Sequence, residues 1–160
     1  MGENMNSNIN LISFIKKIND DLNKTITKEQ DFHEGNEISE LHIHKILFIV
    51  YGAFHKKFNK EIFEPNFQAW KYGPVEIDYR KFIKDNNEKI LNKFDCEINN
   101  KEKIYLEKLI TKLLKFSPWS LVEYTHSLDA WINNYEGEEI DYKIIPKEDI
   151  FKSFENRNFD

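Results

Sequence analysis

The chain has 160 residues, a formal net charge of −5 and an apolar content of 40%. This length corresponds to one domain with room for a sizeable core, and the apolar content excludes a disordered chain. The acidic balance gives no overall attraction to nucleic acid, and the only basic cluster is the short group Lys56, Lys57 and Lys60. A nucleic-acid-binding role is therefore disfavoured.

Cysteine usage and the first residues predict a cytoplasmic protein with no membrane contact. Cys96 is the only cysteine, so no internal disulfide can form, which is usual in a reducing compartment. Residues 1–8 are polar without Lys or Arg and do not resemble a secretory signal. The longest uncharged apolar run, residues 46–54, is shorter than the about 20 residues that span a bilayer.

The N-terminal part predicts a flexible tail, one helix and a loop. Residues 1–8 form the predicted tail, and Ser7 or Asn8 could cap the helix that follows. One apolar stripe recurs at helical spacing, formed by Leu11, Ile15, Ile18 and Leu22. Residues 23–38 are polar, contain Gly35-Asn36 and show no period, which predicts a loop or insertion.

Residues 39–58 are the most apolar segment and predict the central helix of the fold. Ser39 is a suitable N-cap. The apolar stripe of this segment consists of Ile43, Leu47, Val50, Phe54 and Phe58, and it is widened by Ile46, Ile49 and Ala53. A helix that is apolar nearly all round is buried on most sides, so this helix is placed at the centre.

Residues 70–75, with the sequence Trp-Lys-Tyr-Gly-Pro-Val, predict a sharp corner. The preceding residues 60–70 alternate aromatic and polar side chains, which predicts an extended loop or a short edge strand. Gly73 accepts backbone angles closed to other residues, and Pro74 is tolerated in the first turn of a helix. A helix is therefore predicted to start at Pro74, with Trp70 adding a large apolar area at the corner.

The second half predicts further short helices. Residues 86–100 leave helix and loop open, residues 102–116 predict a helix, and Ser117-Pro118 ends it and starts another. Residues 135–141 predict an acidic loop, and Pro146 opens a last helix after a short extended piece at Ile144-Ile145.

The predicted fold class is mostly α. It is a single compact domain of about six helices around the buried central helix 39–58, with at most a small β-hairpin or strand pair. The predicted domain covers residues 9–156, with tails at 1–8 and 157–160.

The histidines give no sign of a metal site. His42 and His44 are two residues apart on a helix and point roughly 200° apart, whereas His44 and His55 lie about 16 Å apart along the helix axis. No pair has the i,i+4 spacing of helical zinc ligands, and the scattered glycines form no phosphate loop. No metal and no cofactor are predicted.

Thr125, His126, Ser127 and Asp129 supply the atom types of a nucleophilic site. A small hydrolase or transferase that uses His126 with Ser127 or Asp129 is therefore the alternative hypothesis. Adjacent residues do not face one another, however, and such sites are recognised by geometry. The hypothesis predicts a cleft around His126 and a perturbed pKa of its imidazole.

Three blocks of the chain resemble the Panacea antitoxin domain family, also called SocA-like antitoxin or phage-associated protein. Residues 41–48 followed by Tyr51-Gly52 resemble the family's apolar helix. Residues 67–75 resemble its F-x-A-W-x-x-G-P-V corner, and residues 121–127 followed by Trp131 resemble its later Thr-His signature. The blocks stand in the family's order and span residues 39–132, with departures at His44, where Gln is usual, and at Ala130.

The resemblance implies an antitoxin of a toxin–antitoxin pair that is no enzyme and neutralises a separately encoded protein toxin by direct binding. Some members act as adaptors that deliver the toxin to a cellular protease, and assembly into a homo-oligomer stays open. No catalytic residue is implied. The family-motif residues, structural or toxin-binding, are Lys45, Trp70, Tyr72, Gly73, Pro74, Val75, Thr125, His126 and Trp131.

Overall fold

A computed structural model describes residues 6–29, 37–137 and 141–160 of the chain. Over these residues the chain forms eight α-helices, one 3-10 helix and two antiparallel sheets of two strands each. The mostly α fold class is thus confirmed. Two of the eight helices, α4 and α7 as defined below, have only four residues. Such single turns are too short to show a helical period, which is why the sequence predicted about six.

The elements of the N-terminal half, in chain order, are β1 (Ser7–Asn10), α1 (Leu11–Glu29), α2 (Glu40–Phe58), β2 (Phe67–Trp70), β3 (Gly73–Glu76) and α3 (Ile77–Asp85). Those of the C-terminal half are α4 (Glu88–Leu91), the 3-10 helix (Asn92–Phe94), β4 (Asp95–Ile98), α5 (Asn100–Leu114), α6 (Pro118–His126), α7 (Asp129–Ile132) and α8 (Lys147–Phe154). No helix of the described residues is both long and apolar enough to cross a membrane.

Helix α2 is the centre of the fold, as its sequence predicts. Ser39 caps it, because its side chain accepts a hydrogen bond from the His42 N–H, and Asn59 ends it in the left-handed conformation with φ 52°. Every residue from His42 to Phe54 is buried. The helix packs against α5, α6, α8 and β3, so four elements surround it and bury nearly its whole circumference.

Helix α1 starts later and ends later than the sequence predicts. Ser7 and Asn8 do not cap it, since they lie in β1, which pairs antiparallel with β4. Asn10 takes that role, as its Oδ1 accepts the N–H of Ser13 at 3.1 Å. The helix continues to Glu29, so the predicted loop is wrong for residues 23–29. Helical hydrogen bonds form within the backbone and do not require an apolar stripe in the sequence.

Several predictions fall on residues that the structure leaves undescribed. Residues 1–5 of the predicted tail, residues 30–36 of the predicted loop with Gly35-Asn36, and residues 138–140 of the predicted acidic loop lie outside the described residues. At the other end, Phe159 packs its ring against those of Phe154 and Tyr124.

The Gly-Pro corner is a β-hairpin, and the prediction of a helix starting at Pro74 is wrong. Strands β2 and β3 pair antiparallel with Trp70 opposite Gly73, so the turn consists of two residues, 71 and 72. Pro74 lies within β3, because its fixed φ suits an extended chain as well as a first helical turn. Helix α3 begins after Glu76, whose carboxylate accepts the N–H of Asp78 at 2.7 Å.

The C-terminal half follows its predictions except over residues 86–100, where the sequence left helix and loop open and the structure contains a strand as well. Residues 95–98, in the stretch left open between helix and loop, form β4, and the predicted helices appear as α5 and α6, the latter capped by Ser117. Ile144 bridges to Gln68 beside the hairpin, and α8 begins directly after Pro146. The hairpin is thereby flanked by α2, α6 and the chain around Ile144.

Candidate functional site at the hairpin

Side chains from three helices hold the β2–β3 hairpin by its backbone carbonyls. The hydrogen bonds are Lys45 Nζ to Pro74 O (2.8 Å), Trp131 Nε1 to Trp70 O (2.8 Å) and His126 Nε2 to Lys71 O (3.0 Å). The His126 ring also stacks on that of Trp131, with centroids 4.0 Å apart. The structure therefore brings residues from all three family-like blocks into one cluster around the turn.

Gly73 is required by both its conformation and its neighbours. Its φ is +100°, a region that residues with a side chain rarely adopt. A Cβ at this position would lie 2.7 Å from Thr125 Oγ1 and 2.8 Å from Lys45 Cε. Thr125 is buried, and its hydroxyl donates to the carbonyl of Val122. The hairpin thus packs backbone-to-side-chain against α2 and α6, with no space for a methyl group.

Lys45 is a fully buried cation at the middle of this packing. Its only hydrogen bond in the described part of the chain is the one to Pro74 O, and no carboxylate within it forms an ion pair with the ammonium. Burial lowers the pKa of Lys45 to about 7, and the Glu40 carboxylate opposes this shift. The side chain therefore sits near its titration point at neutral pH.

A pocket of about 310 Å³ opens beside the hairpin and has Lys45 in its wall. The indole of Trp70 stacks on the ring of Tyr142 with centroids 4.4 Å apart, and the Arg80 guanidinium lies 5.0 Å from the Trp70 ring centre. Trp70 is only half-buried and lies on the face of β2 opposite the buried Phe67. The large apolar area that Trp70 adds at the corner therefore lines this pocket and does not fill the core.

Arg80, Glu40 and His44 form one polar network at the pocket edge. Glu40 Oε1 accepts from Arg80 Nη1 at 2.9 Å and bonds His44 Nε2 at 3.0 Å. The Glu76 N–H donates to His44 Nδ1, so this nitrogen carries no proton and Nε2 donates to Glu40. Burial accordingly lowers the pKa of His44, and the bond to His44 lowers the pKa of Glu40.

Two aromatic side chains next to the pocket face the solvent. Tyr72 is 49% exposed and Trp119 is 56% exposed, and their rings meet edge to face with centroids 5.3 Å apart. Sequence reasoning singled out Tyr72 but missed Trp119, as well as Arg80 and Tyr142. For Trp119 a signal existed, because it lies off the helical face of α6 that carries the buried Leu121 and Thr125.

The candidate catalytic residues are not arranged as a nucleophile and its base. Ser127 Oγ donates to the carbonyl of Tyr124 at 2.6 Å, which occupies the hydroxyl within its own helix turn. His126 bonds Lys71 O and is not among the residues that line the pocket. Its pKa is lowered, chiefly by burial. The described residues contain no group of three or more His, Cys, Asp or Glu that could hold a metal ion.

Fold and site together define a mostly helical domain that clamps a β-hairpin between its central helix and its Thr-His segment. The model of the family described as Antitoxin SocA-like, Panacea domain, matches residues 43–132, more than half of the chain, and the chain belongs to this family. The resemblance inferred from the three sequence blocks is thereby confirmed, and all nine family-motif residues lie within the matched range. Neither a curated protein nor a solved structure matches the chain.

Proposed function

We propose that this protein is an antitoxin that neutralises a separately encoded protein toxin in the cytoplasm by binding it directly. Membership of the SocA-like antitoxin family is the observation that carries this proposal. The geometry around His126 and Ser127 adds support, because these groups hold backbone carbonyls and assemble no nucleophile–base pair. The lowered pKa of His126 agrees with the hydrolase alternative, but burial is its main cause, and the Ser127 hydroxyl bonds the Tyr124 carbonyl and not the imidazole.

The proposed toxin-binding surface is the aromatic pair Tyr72 and Trp119. Exposed Trp and Tyr side chains are the residue types that most often dominate the energy of a protein interface. Most other motif residues, such as Lys45, Gly73 and Thr125, point into the packing around the hairpin. Their proposed role is to hold the turn that presents Tyr72, so the motif serves binding indirectly.

Co-expression with the product of the adjacent reading frame tests the proposal. We expect a neighbour that arrests growth when expressed alone and is harmless together with this protein. Trp119→Ala should lose neutralisation and complex formation while its thermal unfolding stays unchanged. The matched control is Ile104→Ala on α5, which removes a side chain that is 55% exposed and should neutralise fully.

Two results would contradict the proposal. A neighbour that is not toxic, or whose toxicity persists beside this protein, argues against the antitoxin role. Full neutralisation by both Trp119→Ala and Tyr72→Ala places the interface elsewhere.

The half-life of the toxin in the same cells tests whether this protein also acts as an adaptor for a protease, as the family resemblance implies for some members. A shortened half-life indicates delivery to a protease, and an unchanged one indicates neutralisation by binding alone.

A further inference from the structure

The pocket beside the hairpin contains cationic donors that the protein itself leaves unsatisfied. The Lys45 ammonium has three N–H donors and makes one hydrogen bond within the described residues, to Pro74 O. Arg80 Nε is buried without a hydrogen-bond partner in the described structure. Buried donors without partners carry a desolvation cost, so both groups would gain from an acceptor. Neither donor has exposed surface in this structure, so the two side chains must turn toward the pocket to meet an acceptor that enters it.

The charges of the pocket favour an anion. Lys45, Lys71 and Arg80 line it, and Glu40 is the only acidic residue of its lining among the described residues. Glu40 Oε1 is already engaged by His44 and Arg80 and makes no ion pair with Lys45. The lining therefore holds more basic than acidic groups, and an anion would pair with them in a partly desolvated site where such pairing is strong.

The side chains that line the pocket indicate the size and polarity of the uncharged part of the ligand. Leu41 and Val75 line the pocket, and the stacked rings of Trp70 and Tyr142 form a flat side. A volume of about 310 Å³ lies at the lower end of ligand pockets, which span roughly 300–1,000 Å³. This shape fits a single ring or a short apolar chain with one small charged end. A phosphate would instead place several hydrated oxygens against Leu41 and Val75.

We propose that this pocket binds a carboxylate carried on a small apolar or aromatic body, with Lys45 and Arg80 as the donors to its oxygens. The carboxylate is either that of a free small acid or that of an Asp or Glu side chain on a bound protein. The site is independent of the toxin contact at Trp119, although Tyr72 borders both.

Titration of the full chain with benzoate, followed by NMR, tests the site. The readouts are the indole N–H signal of Trp70 and the backbone amide signals of residues 71–73, 75 and 76. Benzoate should shift these signals saturably, whereas benzamide, which has the same shape without the charge, should bind at least about tenfold more weakly. Equal binding of benzamide, no saturation with benzoate, or preferential binding of inorganic phosphate at the same signals would each overturn the proposal.

Lys45→Met keeps an unbranched side chain as far as the ε position and removes the ammonium. It should weaken benzoate binding by roughly 10- to 100-fold, the range expected for a lost hydrogen bond to a charged group. Lys81→Met is the matched control, because Lys81 is an exposed lysine next to Arg80 on α3, outside the pocket lining. Unchanged binding by Lys45→Met would overturn the assignment of the donor. If Lys45→Met does not fold, the benzoate titration of Arg80→Lys and the benzoate–benzamide comparison on the wild type decide whether the pocket binds a carboxylate.

A competition experiment separates the two sources of the carboxylate. If saturating benzoate displaces the toxin identified by co-expression, the natural occupant of the pocket is an acidic side chain of that toxin. If the complex forms equally well when benzoate fills the pocket, the natural occupant is a small acid. Because the benzoate titration needs no toxin, failure of the antitoxin proposal and failure of the pocket proposal give different results.

Discussion

Lys45 and Pro74 are joined by a hydrogen bond of 2.8 Å between a buried ammonium on α2 and a backbone carbonyl in β3. The bond ties the hairpin to the central helix at a position where the ammonium has no access to water. Placing a cation there opposes folding whenever it is protonated, because burial disfavours the charged form. The hairpin is thus held by a side chain whose contribution depends on pH.

The buried ammonium predicts that stability rises between pH 7 and 9. The pKa of Lys45 is about 7 in the folded chain against an ordinary value of 10.5, so in this window the unfolded chain binds a proton that the folded chain lacks. The stability gained at high pH is lost as the pH falls toward 7. Wild-type protein should gain about 2 kcal/mol between pH 7 and 9 in urea unfolding.

Lys45→Met should lack this gain, and Lys81→Met should retain it. The charged and titratable groups near Lys45 are Glu40 and His44 on its own helix, Arg80 on α3 and His126 on α6. The Glu40 carboxylate, with its lowered pKa, stays charged from pH 7 to 9, and the two histidines, with lowered pKa values, stay neutral. Parallel pH profiles for wild type and Lys45→Met would contradict the assignment.

Gly73→Ala should destabilise the fold by about 2–5 kcal/mol, from a strained φ and from contact with Thr125 and Lys45. Gly137→Ala is the matched control, because Gly137 has a φ of +101° and nothing within 4 Å of the position of a Cβ. It should cost only about 1–2 kcal/mol. Chemical denaturation of both variants measures the difference. Equal losses would mean that the close packing around Gly73 contributes nothing.

Trp131→Phe should lower the free energy of unfolding by about 1–3 kcal/mol, because it leaves the carbonyl of Trp70 without its indole donor. Trp119→Phe, the same exchange at an exposed site, should stay within about 0.5 kcal/mol of the wild type. Thermal unfolding compares the two variants. A loss at Trp119 equal to that at Trp131 would show that the hydrogen bond to the hairpin is not what stabilises the fold.

Gly52→Ala should destabilise the protein although alanine is the better helix former by about 1 kcal/mol. A Cβ at residue 52 would meet the Phe154 ring at 2.2 Å, so α8 would have to move, at a cost of about 1–3 kcal/mol. Phe154→Leu in the same chain should recover part of this loss, which a double-mutant cycle measures as coupling. Additive effects of the two changes would refute the close contact of α2 with α8.

Most of the helical framework could be predicted because it depends on neighbouring residues. Ser39 and Ser117 cap helices where the sequence places them, and the apolar circumference of residues 42–54 correctly identified the buried centre. The end of α1 could not be predicted in the same way. Residues 23–29 contain a single apolar side chain, Ile26, which is too few to show a helical period.

The hairpin could not be predicted from the local sequence. Pro74 is compatible with a strand and with a first helical turn, and the choice was made by the pairing of β3 with β2 and by the cap at Glu76. Trp70 lies on the face of β2 opposite Phe67 and Ala69, and this became clear only once the segment was seen to be a strand. The pairing of β1 with β4 joins segments far apart in the chain and left no mark in either one.

The sequence by itself therefore determined the helical class, the central helix and the family, since these depend on periodicity, capping and motif order. Only the tertiary structure decided what the Gly-Pro corner does. Lys45, His126 and Trp131 come from three different helices, and packing alone brings them onto the carbonyls of one hairpin. Hydrogen bonds across such separations depend on the whole fold, because no short-range pattern encodes which distant carbonyl a side chain will meet.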